Sequence, residues 1–216
     1  MTKSAKYLIL SVVIIGVGIA FYIRYNLSKY KRQVVFQANA EVDKWIPYTE
    51  LDSETAEIMK QYWCDGVGFC SFTTDQILDP TFQSNWAWSA AFISWVMKSA
   101  GADDFPTSER HAHYIRVTTD NRYNNEKANF KAYSTIEEKP RKSDIVCKRR
   151  GSSTATYGNV DEYDTLHCDI VTKVNSESIE VVGGNAQNKV ARVELPLDDN
   201  GFLTTNDYFV IIKNTL

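Results

Sequence analysis

The sequence predicts an α+β domain, with helices first and an antiparallel sheet second. Three observations carry this reading. Helical patterning is confined to the first half of the chain, and β-branched runs are confined to the second. No helical segment separates those runs, so successive strands must pair through short turns. The chain has 216 residues, and setting aside its apolar N-terminus leaves about 185, enough for one domain with a substantial core. The expected organisation is a membrane anchor with a basic flank over 1–32, a stalk over 33–48 and a single domain over 49–216.

Residues 7–23 (YLILSVVIIGVGIAFYI) carry no charge. As a helix they span roughly 25 Å at about 1.5 Å per residue, which suits a short transmembrane anchor. Gly18-Ile19-Ala20 offers a small-x-small cleavage site and hence the alternative of a signal peptide, but the apolar run continues through Phe21, Tyr22 and Ile23. Basic residues lie on both sides of the segment, so the positive-inside rule leaves its orientation open. Residues 27–44 read as a polar helical stalk ending near Pro47. Within 49–64, Ser53 with Glu54 and Glu57 forms a helix start, and Ile58, Met59, Tyr62 and Trp63 form an apolar face. Residues 65–85 are rich in Gly, Asp, Thr and Pro and read as a loop.

Residues 86–100 (WAWSAAFISWVMKSA) are apolar on nearly every side and stop at Gly101, which predicts a buried central helix. Phe105, Ser108, His111 and Tyr114 recur at three-residue spacing and predict a second short helix to about Val117. Residues 120–140 are polar and read as a surface excursion. The runs 144–148, 167–174, 178–182, 190–195 and 208–213 predict a sheet of about five strands, with turns at Asn175-Ser176 and Asp199-Asn200-Gly201.

Charge and motifs exclude several classes of function. The chain has 24 basic and 27 acidic residues, and its first 32 positions hold six of the basic ones and no acid. The remainder sets 18 basic against 27 acidic residues, a net −9. Such a domain repels polyanions, so nucleic acid is not expected as a partner, whereas the basic flanks of the apolar segment suit phospholipid headgroups. No GxxxxGK[ST], strand-linked GxGxxG or HExxH occurs, which leaves nucleotide and zinc-peptidase chemistry unsupported. With three histidines and no CxxC pair, no metal site and no cofactor is expected. The four cysteines suit two disulfides, Cys64–Cys70 and Cys147–Cys168 among three connectivities, or else four buried thiols.

The candidate chemistry starts at Ser89, in the first turn of the buried helix, where free N–H groups and the positive dipole end favour developing negative charge. A helix cap or small packing residue is the plainer use of such a serine. His167 opens a strand, and alternation puts it on one face with Asp169 while Cys168 takes the other. A strand-borne histidine beside a helix-borne hydroxyl makes a nucleophile and base, given a third group to fix the imidazole tautomer. Asn185, after Gly183-Gly184, is the candidate for that group, since the glycines permit close backbone approach and the amide oxygen can accept a ring N–H.

These residues resemble a known family. WSAAFISWVMKSAG (88–101) is similar to the nucleophile helix of the CHAP-type cysteine, histidine-dependent amidohydrolases/peptidases, with serine in place of cysteine. SDIVCK (143–148), HCDIVTKV (167–174) and VVGGNAQNKV (181–190) resemble that family's first strand, histidine strand and Gly-Gly-Asn segment, in the family's order. A bacterial subgroup carrying the serine form is similar as well. The resemblance implies a papain-like fold and cleavage of an amide bond in peptidoglycan, with Ser89 as nucleophile, His167 as base and Asn185 as orienting residue. His111, Asp169, Trp86 and Trp88 are expected to line or support the cleft, and in the serine subgroup a histidine recurs where His111 stands. Serine in place of cysteine forces the hydroxyl to lose its proton during attack, because it cannot be stored as an anion.

The function expected is therefore a cell-wall amidase or peptidase acting on peptidoglycan peptide. The alternative is an inactive papain-like protein that binds such a peptide or a protein partner, and an inhibitory or immunity protein is a further conceivable partner. The substrate implies an inner-membrane protein, single-pass, with its domain facing the periplasm or cell exterior.

Overall fold

The computed structural model describes residues 29–125 and 127–216. Helix α1 covers 29–44 of these residues. Helices α2 (Ser53–Gln61), α3 (Thr74–Leu78), α4 (Pro80–Asn85), α5 (Ser89–Ser99) and α6 (His111–Asn124) follow. Six strands complete the chain: β1 (Phe130–Ser134), β2 (Ile145–Arg149), β3 (Leu166–Val174), β4 (Ser178–Gly183), β5 (Ala191–Pro196) and β6 (Tyr208–Asn214). They form one open antiparallel sheet in the order β1-β6-β2-β3-β4-β5. Helices first and antiparallel sheet second is the α+β arrangement that the patterning predicts.

Burial on the sheet follows the two-residue period of a strand. Ile145, Cys147, Ile170, Val182, Val210 and Ile212 join the core shared with the helices. Their strand neighbours Val146, Val171, Val181 and Ile211 form a separate cluster with Ile179, Leu195 and Tyr208, against which Leu197 and Leu203 pack. Both faces of the central strands are thus covered. At the start of β2, Asp144 is buried beside Lys213 at 2.6 Å and accepts the amide of Asn214 at 3.0 Å, fastening β2 to the end of β6.

Four expectations change. Strand β1 lies inside the stretch read as a surface excursion. Its five residues FKAYS bury only Phe130 and Ala132, too short a pattern to stand out, and its pairing with β6 supplies what local sequence does not. Residues 33–48 belong to the body of the domain, because Val34, Ala38, Val42 and Trp45 recur on one helical face and bury into the core. Helix α6 begins at His111, not at 105, and runs to Asn124; Pro106 disfavours helical backbone at Phe105. The anchor expected over 7–23 lies outside the described residues. Among the described residues no helix is long and apolar enough to cross a membrane, and the single-pass inner-membrane placement is withdrawn.

Both disulfides named from sequence are present. Cys147 and Cys168 face each other directly across β2 and β3. Cys64–Cys70 closes a short loop that begins in a π-helical turn, Tyr62–Gly66, continuing α2. That turn lies against α5: a side-chain carbon on Gly66 would stand 2.7 Å from the Ala91 carbonyl oxygen and 3.0 Å from the Trp95 nitrogen.

Candidate active site

Ser89 is the first residue of α5, and the first intrahelical bond there runs from the Phe92 amide to the Trp88 carbonyl at 2.9 Å. The amides of residues 89–91 therefore have no acceptor within the helix. His111 is the first residue of α6, so two helix N-termini converge. Ser94, farther along α5, sets their spacing: its hydroxyl donates to the Ser108 carbonyl at 2.9 Å and accepts the Ser108 amide at 3.0 Å. The spacing Phe105, Ser108, His111, Tyr114 thus marks a folded lead-in rather than a helical stripe. Phe105 packs on Tyr114, Ser108 pins the loop to α5, and His111 reaches the serine.

Ser89 Oγ lies 2.7 Å from His111 Nε2, and both residues are buried. The other ring nitrogen, Nδ1, is hydrogen-bonded to the Tyr114 hydroxyl. When Nδ1 carries the proton it donates to the Tyr114 oxygen, and Nε2 is left to accept from the serine. Burial and the neighbouring charge of His167 hold His111 well below its ordinary value of 6.5, with Asp169 opposing and Arg150 reinforcing the shift. Burial and then Asp169 push the Tyr114 phenol upward, which keeps it protonated.

His167 makes no hydrogen bond to Ser89. Its ring meets that of His111 at a centroid distance of 5.5 Å, and its Nε2–H donates to Asp169 Oδ1 at 2.9 Å. The Tyr208 hydroxyl donates to Asp169 Oδ2 at 2.8 Å. Burial pushes Asp169 upward, but the charge of His167 and the bonds from His167 and Tyr208 outweigh it and leave the carboxyl below the usual range. The geometry corrects the sequence assignment for a structural reason. Cys168 and Ile170 point into the core packed on the helices, whereas Asp169 joins Tyr208 on the side of Val171. His167 lies on that second side, and the imidazole beside Ser89 is that of His111. His167 Nδ1 is buried and has no partner.

Asn185 does not bond the His167 ring, because Asp169 holds that N–H. It lines the cleft at a positive φ of 52°. The preceding glycines serve close packing. A side-chain carbon on Gly183 would fall 1.9 Å from Asp169 Oδ1 and 3.0 Å from His167 Nε2, and one on Gly184 would fall 2.6 Å from Phe92 Cβ.

Ser89, His111 and Asn185 open on a cleft of about 780 Å³. Its lining includes the aromatic Trp63, Phe69 and Trp86 and the charged Arg110, Arg150 and Asp164. Trp86 keeps 39% of its surface exposed, as a cleft residue should. Trp88 does not line the cleft: it is buried, stacks on Trp45 at 4.8 Å and donates its indole N–H to Glu50 Oε2 at 2.7 Å. Gln83 also lines the cleft, but its amide N–H groups are committed to the carbonyls of Glu50 and Ile77. Among the described residues no group of three His, Cys, Asp or Glu side chains is placed to hold a metal ion.

Sequence reasoning assigned no role to Tyr114, Tyr208 or Glu50. Tyr114 had a usable signal in its i+3 position from His111, whereas Tyr208 and Glu50 are brought in by tertiary contacts alone. A family model described as "Uncharacterized protein conserved in bacteria (DUF2272)" matches residues 52–213, a segment holding all of these residues except Glu50. No curated protein and no solved structure matches the chain.

Proposed function

The chain belongs to the bacterial family DUF2272, and from the geometry of its matched segment we propose a serine-dependent amidohydrolase or peptidase of papain-like type acting on a peptide of the cell wall. The observation that carries the reading is the 2.7 Å contact of Ser89 Oγ with His111 Nε2 at the base of the cleft. The choice of cell-wall peptide and of a papain-like relationship rests on the four sequence blocks that resemble the CHAP-type enzymes.

The chemistry follows from that pair. Ser89 Oγ attacks the carbonyl carbon of the scissile amide as its proton passes to His111 Nε2. The carbonyl oxygen, now anionic, meets the unused amides of the first turn of α5 and the side-chain amide of Asn185. His111 returns the proton to the departing amine nitrogen as the C–N bond breaks, leaving an ester on Ser89. A water attacks that ester, giving its proton to His111, and the carboxylic product leaves with Ser89 reprotonated. Asp169 is the nearby anion that favours the transient imidazolium, and the low proton affinity of His111 keeps it neutral, with Nε2 free to accept a proton, between cycles.

A second reading, binding without cleavage, is favoured by the same Tyr114 contact. If the phenol donates to Nδ1, then Nε2 carries the hydrogen and cannot take one from Ser89. Digestion of purified peptidoglycan by the full chain separates the two, with Ser89→Ala, His111→Ala and His167→Ala as controls and products read by mass spectrometry. Defined fragments from wild type that vanish in Ser89→Ala and His111→Ala support the hydrolase. An inert wild type with retained peptidoglycan binding supports the second reading, and loss of activity in His167→Ala alone would return the base role to His167.

A further inference from the structure

Glu50 is a carboxylate with more than nine-tenths of its surface buried, and it lines the cleft. One of its oxygens, Oε2, accepts the Trp88 indole N–H at 2.7 Å. Its backbone is equally fixed, with its amide donating to the Asn188 carbonyl at 2.7 Å and its carbonyl accepting from Gln83 at 2.7 Å. Yet no lysine, arginine or histidine stands within ion-pair distance of it among the described residues. The contrast with the other deeply buried acids is direct: Glu41 has Lys44, Asp144 has Lys213 and Asp169 has His167.

A buried charge is costly to keep unless an opposite charge and hydrogen bonds compensate it. One bond from a neutral indole is partial compensation, and among the described residues the remaining oxygen, Oε1, accepts no hydrogen bond. Glu50 and Ser89 line the same cleft, so the carboxylate shares the space in which Ser89 opens. We infer that Glu50 is the specificity residue of the cleft and receives a primary ammonium group of the substrate. This rests on the hydrolase reading for its meaning in turnover, but the recognition itself is a binding property that can be measured apart from cleavage.

The probe is a pair of tripeptides that differ by one charge: trialanine p-nitroanilide with its free α-ammonium, and the N-acetylated counterpart. For the full-length wild-type protein the ammonium form is expected to show a kcat/KM at least about tenfold higher, the worth of one charge-assisted hydrogen bond. In Glu50→Gln, whose amide oxygen still accepts the Trp88 N–H, the ratio falls toward one. Thermal melting of the variant confirms that the fold survives.

If wild type cleaves both peptides equally, the inference is overturned while the hydrolase stands. If neither is cleaved, calorimetric titration with trialanine amide and N-acetyl-trialanine amide decides it. Tighter binding of the ammonium form, lost in Glu50→Gln, upholds the inference although the hydrolase reading has failed. Equal affinities, or no binding of either, overturn it.

Discussion

The imidazole rings of His111 and His167 meet edge to face, 5.5 Å apart at their centroids, with a single carboxylate, Asp169, bound to the second of them. Two histidines this close cannot both carry charge cheaply in a buried setting. Because burial and His167 hold His111 well below 6.5, the acid limb of the pH profile of kcat/KM is expected below pH 6.5. His167→Asn removes one of the two main causes of that depression, so the limb should move upward in pH. A pH profile of peptide hydrolysis for the two proteins checks the direction.

The same depression predicts a stability effect with a fixed sign. Folded His111 binds its proton more weakly than the unfolded chain does, so the unfolded state takes up more protons as pH falls below about 6.5. Stability is therefore full above that value and declines as pH drops through the folded value. Urea midpoints measured between about pH 5 and pH 7 should fall on acidification, and fall less in His111→Gln.

Tyr114→Phe tests the tautomer. The phenol is hydrogen-bonded to His111 Nδ1 and Tyr114 is not among the residues lining the cleft, so its loss should lower kcat about 10- to 100-fold with little change in KM. An unchanged kcat, or an increase, would mean that the phenol holds the ring in the form that cannot accept from Ser89.

Gly183→Ala should destabilise the domain by about 1–3 kcal/mol, since its new carbon would collide with a carboxylate fixed by both His167 and Tyr208. The denaturation midpoint reports the loss. Asp169→Asn in the same background does not relieve the clash, because the amide has the same bulk, whereas Asp169→Ala does. The added cost of Gly183→Ala is therefore expected to shrink in an Asp169→Ala background and to persist in an Asp169→Asn one.

Replacing both Cys147 and Cys168 by serine should cost about 2–4 kcal/mol, read as a lower thermal midpoint. The bridge joins the two central strands at directly opposed positions.

Legibility in the sequence followed how local each determinant is. Helix α5 is apolar all round and ends at Gly101, so its existence and burial are written within fifteen residues. The pairing Cys147–Cys168 was readable because two cysteines fell in neighbouring predicted strands. Strand β1 was not, because FKAYS has two buried positions and borrows its identity from β6. Ser89 was placed by its position on α5, but its histidine partner was not. His167 and His111 were both visible, and choosing between them requires knowing which side of β3 the helices cover, a fact that alternation within one strand cannot supply. Glu50 carries no local signal at all, since only the folded chain sets it against Trp88 and, among the described residues, leaves it without a cation.

The backbone of α5 is gripped from both sides where glycines let other segments touch it, by Gly66 against Ala91 and Trp95 and by Gly184 against Phe92. A helix located by two such hard stops has no play: it can neither rotate nor slide without driving one backbone into another. The serine it carries is held in a fixed place, and a molecule entering the cleft must fit itself to Ser89. Variation in what the cleft accepts is therefore expected at other lining positions, such as Asn85, Arg110 and Tyr163, while Ser89 stays where it is.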